Sequence, residues 1–257
     1  MILVDSHAHL DMDGLYDQLD QVLNRAKAAD VRWIVTIGID IPSSQKAVSI
    51  ASQHSMIYAT VGIHPHNAKE VTENTYQRLR KLASWPKVVG LGEMGLDFFK
   101  EYSPRAQQVR VFERQLEMAR ELDLPIVIHE RAAQNEVFSM LKSLGPKELQ
   151  GVIHCFSGNY KLAMKYIDLG FMISIPGIVT FKKAEILKDV ARRIPIESLL
   201  LETDSPFLTP EPFRGRPNEP SMVVWTAKEI ARLRNIGLEE LTRETTKNVQ
   251  RLFKIGK

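Results

Sequence analysis

The chain has 257 residues, of which 44% are hydrophobic and 25% are charged, a composition that excludes a largely disordered protein. The formal net charge of +3 permits an anionic substrate but is far below that of a protein that coats duplex DNA. Cys155 is the single cysteine, which excludes an internal disulfide and a thiolate cage. Any metal must therefore be held by His, Asp or Glu.

The N-terminus reads MILVDSHAHLD and carries no recognisable export signal. No apolar run approaches the roughly 20 residues of a transmembrane helix. Together with the single cysteine, these features predict a cytoplasmic protein without a membrane association. Neither an interdomain linker nor a repeat of fixed period interrupts the sequence, so we expect one domain over residues 1–257 and a monomer without an obligate protein partner.

Eight short β-branched runs alternate with longer segments of amphipathic helical spacing. In chain order the runs are ILVDSH, RWIVTIG, IYATVGIHP, VVGLGEMG, PIVIHE, GVIHCF, GFMISI and SLLLETD. Such runs are typical of strands covered on both faces in a parallel sheet, and eight of them predict an α/β fold, a single (β/α)₈ TIM barrel. A doubly wound open sheet is the alternative. Its first strand should lead into a glycine-rich phosphate loop, where this chain carries His-Ala-His instead.

Two helical segments carry specific predictions. After the fourth run, Ser103 is the predicted N-cap, with Pro104 at the first helical position. Spacing of three and four residues predicts one buried face for this helix, formed by Val109, Phe112, Leu116 and Ala119. The C-terminal helix, with its Lys and Arg residues, is interpreted as surface.

Side chains that can bind metals occur at the C-terminal ends of the predicted strands. In a barrel these ends meet at one mouth, where barrel enzymes place their chemistry, so six of the seven histidines are expected to come together there. In chain order, the residues at this mouth are His7, His9, His64, His66, Glu93, Asp97, His129, His154 and Asp204. The sequence therefore predicts a metal site at the C-terminal mouth.

The first and fourth runs suggest how ions would be shared. His7 and His9 are two residues apart, so an extended strand places both side chains on one face, where they can bind one ion. Glu93 lies near Gly92 and Gly95, which leave room for a close approach of backbone or ligand. Because a carboxylate has two oxygens, Glu93 can bridge two cations.

The later runs add further donors. His129 and His154 end two apolar strands on which a polar residue needs a partner, and they are interpreted as ligands of a second ion. Asp204 ends a buried strand, where a cation would keep its carboxylate ionised. Glu202 lies on the same strand, and either a supporting role or a plain salt bridge fits it. Imidazoles suit Zn²⁺, Ni²⁺ and other first-row metals whereas carboxylates suit Mg²⁺ and Mn²⁺, so the ligands leave the metal open.

Six motifs, in this order and spacing, resemble those of the TatD family of metal-dependent deoxyribonucleases. They are VDSHAHLD, VGIHPH, GLGEMGLDFF, PIVIHER, GVIHCFSG and LLLETDSPFLTPEPFRGRPNEPS, and they cover essentially the whole chain. The resemblance implies a barrel with two divalent ions, one held by His7, His9 and Asp204, the other by His129 and His154, with Glu93 shared. It also implies nuclease activity supported by Mg²⁺ or Mn²⁺, with exonucleolytic trimming of DNA 3′ ends.

The sequence thus predicts a hydrolase that cleaves phosphodiester bonds in DNA, as a 3′–5′ exonuclease acting on single strands or 3′ ends. Two ions about 3.5–4 Å apart can activate water and neutralise the attacking and leaving oxygens. Asp204 is predicted to orient this water or accept its proton, and Glu93 to bridge the ions. His64 is assigned to the scissile phosphate or the leaving oxygen.

Four further residues are predicted to bind substrate. Arg131, Arg214 and Arg216 offer planar guanidinium groups suited to phosphate, and the last two lie in a loop too long to be a mere connection. His66 is a weaker candidate for the same role and can equally cap its own loop.

The aromatic residues after Asp97 have two interpretations. Phe98, Phe99 and Tyr102 can stack on nucleobases, as in proteins that bind single strands, or pack under the next helix.

Two other functions stay open at this point. An amidohydrolase-type deacylase or esterase would use the same metal pair, because the polarised water is common to both reactions. A barrel that keeps its ions only as a binding scaffold is the third interpretation, and the complete ligand set argues against it.

Overall fold

The eight strands form one sheet in which neighbours follow the order of the chain and every pair is parallel. The structure is a computed structural model and describes residues 1–256. The strands are β1 Leu3–Ala8, β2 Val31–Ile37, β3 Ile57–Val61, β4 Val88–Asp97, β5 Ile126–Arg131, β6 Gly151–Ile153, β7 Phe171–Ile175 and β8 Leu199–Leu201.

The two ends of the sheet meet at the C-terminal side of the strands. Ala8 forms a parallel bridge with Ser205, and the His9 N–H donates to the Ser205 carbonyl at 2.8 Å. The Asp204 N–H donates to the His7 carbonyl at 2.9 Å. The predicted (β/α)₈ TIM barrel is therefore confirmed, and its closing seam runs through residues expected at the metal site.

A helix follows each strand, and one more completes the described chain. The helices are α1 Leu19–Ala28, α2 Ile41–Gln53, α3 Glu73–Ala83, α4 Arg105–Leu122, α5 Gln134–Ser143, α6 Tyr160–Asp168, α7 Glu185–Arg193, α8 Val223–Arg234 and α9 Leu238–Phe253. Short 3₁₀ helices span Tyr16–Gln18, Pro65–Glu70, Gly177–Thr180, Ile196–Ser198 and Pro220–Met222. Within residues 1–256, none of the helices combines the length and apolarity needed to cross a membrane.

The N-terminus of α4 differs from the prediction. The N-cap residue is Pro104, not Ser103, and the helix begins at Arg105. The Ser103 hydroxyl instead donates to the His66 carbonyl at 2.7 Å and accepts from the Lys69 N–H at 3.0 Å. The Ser103 hydroxyl therefore links the loop after β4 to the loop after β3. It makes this tertiary contact instead of capping α4. Of the predicted buried face, Phe112, Leu116 and Ala119 are buried and Val109 is half-buried.

The C-terminal helix is not plain surface. Val249, Leu252 and Phe253 of α9 are buried in one cluster with aliphatic side chains of the strands, among them Val4, Val35, Val127, Val152 and Leu200. Asn248 donates through Nδ2 to the carbonyls of Ile196 and Leu199, at 2.7 and 2.9 Å. The interpretation as surface was wrong because the Lys and Arg residues occupy only one face of an amphipathic helix. We call this aliphatic layer, together with α9, the floor of the barrel.

Candidate active site

Glu93 of β4 lies at the centre of the mouth and is 3% exposed. Its Oε2 is 3.5 Å from Nε2 of His7 and 3.7 Å from Nε2 of His9. Its Oε1 is 2.9 Å from Nδ1 of His129 and 2.9 Å from Nε2 of His154. The two oxygens of one carboxylate therefore face two different pairs of histidines.

The first pair is completed by Asp204. Nε2 of His7 and Nε2 of His9 are 3.3 Å apart, and Oδ1 of Asp204 is 3.6 and 3.5 Å from them. Asp204 adopts a left-handed backbone conformation with φ of 54°, which aspartate tolerates better than most residues. The hydrogen bond of its N–H to the His7 carbonyl fixes this conformation, so the barrel seam itself brings the three donors together.

The second pair depends on the close approach of β4 and β5. Nδ1 of His129 and Nε2 of His154 are 3.4 Å apart. His129 lies opposite Gly95 in the sheet, where an added Cβ would come within 2.0 Å of the His129 carbonyl oxygen. At Gly92 a Cβ would lie 2.4 Å from the Val127 carbonyl. The room left by the two glycines is thus occupied by the backbone of β5.

Asp97 fixes the orientation of His129. Its Oδ1 accepts the backbone N–H groups of Phe99 and Lys100 at 3.0 and 2.8 Å, and its Oδ2 lies 2.9 Å from Nε2 of His66 and 3.2 Å from Nε2 of His129. Burial would raise the pKa of Asp97, but the hydrogen bonds from His129 and Lys100 hold it well below the ordinary value. With its Nε2 proton donated to Asp97, His129 presents the lone pair of Nδ1 towards Glu93.

His64 presents a proton, not a lone pair. Its Nδ1 accepts the N–H of His66 at 3.1 Å and so caps the 3₁₀ helix Pro65–Glu70. Its Nε2 lies 3.4 Å from Oε1 of Glu93. Burial and the neighbouring His129 lower the pKa of His64 to about 4, so the ring is neutral at neutral pH. Although His64, Glu93 and His129 are close enough to share an ion, the tautomer makes His64 a hydrogen-bond donor.

Two further carboxylates lie beneath these donors. Glu202 is fully buried, accepts the Cys155 N–H at 2.6 Å and has Oε1 3.7 Å from Nδ1 of His154. Asp5 accepts the N–H and hydroxyl of Thr203 at 2.9 and 2.5 Å, which links β1 to the segment after β8. Burial raises the pKa of Asp5 to about 8.

The cluster attracts positive charge. Burial would raise the pKa of Glu93, but the charge of His154 and the hydrogen bond from its Nε2, at 2.9 Å, hold that pKa well below its usual range. Burial would also lower the pKa of His154, yet Glu93 and Glu202 raise it well above the ordinary value. Buried carboxylates surrounded by imidazole nitrogens are a donor set that fits divalent cations.

His66 and Arg131 lie at the edge of the cluster. The His66 side chain is 27% exposed and is tied to Asp97. Arg131 is exposed at the end of β5, with its guanidinium carbon 4.2 Å from the centroid of the Phe99 ring. The structure therefore brings His66 to the donors, whereas Arg131 lies at the end of β5 beside the exposed Phe99.

The other two predicted arginines lie within the loop that follows β8. The Arg214 guanidinium is 4.3 Å from the Phe181 ring centroid, and Nη1 is 3.8 Å from Oε1 of Glu211. The Arg216 guanidinium is 5.9 Å from the Phe213 ring centroid. Within residues 1–256, no hydrogen bond or ion pair joins either arginine to the histidine cluster.

The aromatic residues after Asp97 differ in burial. Phe98 is half-buried, packs against the core and lies 4.5 Å from the Arg105 guanidinium. Phe99 and Tyr102 are exposed, at 62% and 58%.

Asp97 was predicted to lie at the mouth, but no role was predicted for it. A signal for that role was present, because Glu93, Gly95 and Asp97 follow one another at two-residue steps along one strand. Side chains at such steps share a strand face, so Glu93 and Asp97 are expected to address the same cluster.

A (β/α)₈ barrel with this donor set at its mouth has the architecture of a metal-dependent hydrolase. Residues 4–254 match the family described as TatD related DNase, and the chain belongs to the TatD family. The resemblance predicted from the six motifs is confirmed.

Relatives and solved structures agree with this assignment. The chain is 42% identical to the uncharacterized metal-dependent hydrolase YabD of Bacillus subtilis, over 99% of this chain and 100% of the relative. It is 38% identical to the 3′-5′ ssDNA/RNA exonuclease TatD of Erwinia tasmaniensis, over 92% of this chain and 93% of that protein. The crystal structure of YjjV, a TatD homologue from Escherichia coli, superimposes with a TM-score of 0.94 at 28% identity, covering 99% of this chain and 98% of the other. The protein is thus an enzyme of a hydrolase family in which several relatives, YabD among them, are named metal-dependent hydrolases.

Proposed function

We propose that the protein is a nuclease that uses two divalent cations to remove nucleotides from the 3′ end of single-stranded DNA. The observation that carries this proposal is the Glu93 carboxylate, whose oxygens lie 3.5 Å from His7 on one side and 2.9 Å from both His129 and His154 on the other. A carboxylate between two donor groups suits a pair of ions. The name of the Erwinia relative supports a single-stranded nucleic acid as substrate.

Mg²⁺ or Mn²⁺ bound at the two donor groups would polarise water and neutralise charge on the scissile phosphate. His7, His9 and Asp204 would hold one ion, His129 and His154 the other, and Glu93 both. The Asp204 side chain is 13% exposed, more than the 3% of Glu93, so Asp204 is the carboxylate that incoming water reaches.

The protein's own groups would manage the protons of the reaction. As the oxygen of water bonds to phosphorus and the bond to the leaving oxygen breaks, Asp204 accepts the proton of the water. The Nε2–H of the neutral His64 ring, which points at Glu93 in the structure, donates a hydrogen bond to a phosphoryl oxygen or to the leaving oxygen, and the leaving oxygen takes its proton from solvent water. His66, Arg131, Arg214 and Arg216 are proposed to contact substrate phosphates, on the basis of their place on mouth loops and their charge or hydrogen-bonding capacity. A cytoplasmic location and a monomeric state stay predictions.

A cleavage time course tests the proposal. A single-stranded DNA labelled at its 5′ end is incubated with Mg²⁺, Mn²⁺, Zn²⁺ or a chelator, and the products are separated by length. A ladder that shortens from the 3′ end and disappears with the chelator is expected. If no metal supports cleavage, while an amide or carboxylic ester is hydrolysed, the deacylase or esterase alternative replaces the nuclease.

Matched variants exclude a contaminating nuclease. His64→Ala, purified in the same way, should lose most of the activity and retain its metal content, because His64 is assigned a donor role. Glu117→Gln serves as the control, since the Glu117 side chain is 53% exposed on α4. Equal activity in His64→Ala and the unmodified protein would remove His64 from the mechanism.

A further inference from the structure

Exposed aromatic side chains are concentrated at the mouth of the barrel. Within residues 1–256, five aromatic side chains are strongly exposed, and four of them follow the C-terminal ends of strands. These are Tyr16 after β1, Phe99 and Tyr102 after β4, and Phe207 after β8, whereas Trp85 lies at the opposite end, before β4. Exposed rings gathered around one site indicate a binding surface.

Three of these rings stand on two sides of the donor cluster. The Tyr102 ring centroid is 4.7 Å from that of His66, which binds Asp97 beside the second pair of histidines. The Phe207 ring centroid is 6.2 Å from that of His9, in the first group of donors. We call Phe99, Tyr102 and Phe207 the aromatic rim. The donors lie between its two parts.

Positive charges accompany the rim on the side of β4 and β5. The guanidinium of Arg131 lies 4.2 Å from the Phe99 centroid, and Nζ of Lys100 is 6.0 Å from the centroids of both Phe99 and Tyr102. Open ring faces with interleaved cations are the combination that binds single-stranded nucleic acid, since bases stack on the rings and phosphates pair with the cations.

We propose that the aromatic rim is a base-stacking subsite that selects an unpaired 3′ end. The base on one side of the scissile phosphate stacks on Phe99, and the base on the other side stacks on Phe207. A base within a duplex already stacks on its neighbours, so its faces are closed to the rim unless the end is unpaired. This inference rests on the proposed nuclease function and adds the feature of the substrate that the enzyme recognises.

The test compares strands with and without bases at the scissile position. Three 5′-labelled deoxythymidine oligonucleotides of equal length are used, one complete and two with an abasic residue at the last or the penultimate 3′ position. We expect each abasic residue to lower kcat/KM of the unmodified protein about tenfold, as the loss of one stacked base implies. Phe99→Ala should lose the sensitivity to one position and Phe207→Ala the sensitivity to the other.

The same measurements on a control variant show whether the effect is specific to the aromatic rim. Trp85 lies at the opposite end and is 48% exposed, close to the 49% of Phe207, so Trp85→Ala should keep the full sensitivity to both abasic positions. Because the rim residues are exposed, their truncation should leave the melting temperature unchanged. If the Phe99 and Phe207 variants discriminate against abasic ends as strongly as the unmodified protein, the stacking proposal is wrong while the nuclease function stands.

A binding measurement separates this proposal from the nuclease function. A phosphorothioate-linked single strand with 2-aminopurine at its 3′ end is titrated with the protein in Mn²⁺. Stacking predicts quenching of the 2-aminopurine fluorescence that Phe99→Ala or Phe207→Ala weakens and Trp85→Ala does not. If the unmodified protein cleaves no DNA, this titration still decides the matter: quenching that depends on the rim supports a single-strand subsite, and absence of quenching overturns it.

Discussion

The mouth and the floor of the barrel are built on the same eight strands but differ in the side chains they bury. The mouth buries polar side chains, and the floor buries aliphatic ones. At the mouth, Glu93 and its histidine partners are buried, and their polar atoms face one another at 2.9 to 3.7 Å. At the floor, aliphatic side chains of the strands pack against Leu252 and Phe253 of α9. Burial of polar groups is costly unless they are paired, whereas burial of aliphatic groups stabilises. The mouth should therefore control activity and the floor should control stability.

The largest effect is expected at the carboxylate shared by the two donor groups. Glu93→Gln removes the charge that both groups face, and kcat/KM for single-stranded DNA should fall about a thousandfold or more, since such ions supply several kcal/mol. Bound metal per chain should also fall, as measured by elemental analysis after dialysis. A variant with unchanged metal content and activity would show that Glu93 is not the bridge.

The floor should respond in the opposite way. Leu252 is 3% exposed, and Leu252→Ala should lower the free energy of unfolding by about 2–5 kcal/mol through the cavity it leaves. The kcat of the folded fraction should be nearly unchanged, because the mouth keeps its contacts. Urea denaturation and activity on the same preparation separate the two quantities. A large loss of kcat with no loss of stability would contradict the division between floor and mouth.

A third effect concerns a buried contact between β5 and α6, outside the histidine cluster. Glu130 follows His129 on β5 but contacts the hydroxyl of Tyr166 on α6, and burial raises its pKa to about 7 from 4.5. The folded state therefore holds the proton more tightly, and the stability that this adds below pH 4.5 is lost as the pH rises through about 7. A pKa of about 7 in place of 4.5 is worth up to about 3 kcal/mol.

Glu130→Gln should remove that dependence. Relative to the unmodified protein, the variant should gain stability at pH 8.5 and gain much less at pH 5, as measured by denaturation at both values. The exposed Glu117→Gln is the control and should show no such change. Parallel stability curves for Glu130→Gln and the unmodified protein would mean that Glu130 is already ionised in the folded state.

The smallest effect is expected at the group that orients a donor. Asp97→Asn can still accept the backbone N–H groups of Phe99 and Lys100, but it loses the charge that fixes the tautomer of His129. We expect a loss of about 10- to 100-fold in activity at limiting Mn²⁺, which excess Mn²⁺ partly restores. A purely structural defect would instead lower the melting temperature and would not respond to the metal.

The sequence was most informative where the fold repeats. Strand ends recur at regular intervals, so the sequence alone assigns the histidines and carboxylates at those ends to one mouth, including His7 and Asp204 from opposite ends of the chain. Contacts that depend on loop conformation were not predictable. Ser103 bonds across to the loop of His66 instead of capping α4, and Arg214 lies on Phe181, a residue of another loop.

The burial of α9 against the strands was not predictable for a different reason. Its sequence is amphipathic, but amphipathicity does not say which surface the apolar face covers, and the open N-terminal end of a barrel is visible only once the strands have closed. The two contacts of His64 were likewise not predictable. Its Nδ1 caps the 3₁₀ helix that begins at Pro65 while its Nε2 faces Glu93, and both depend on the turn at Pro65.

Anomalous diffraction from a crystal grown with Mn²⁺ tests most directly whether Glu93 joins two ion sites. We predict two peaks, one bound by His7, His9 and Asp204, the other by His129 and His154, with Glu93 bound to both and His64 bound to neither. A single peak, or a second ion held by His64 in place of His154, would contradict this account.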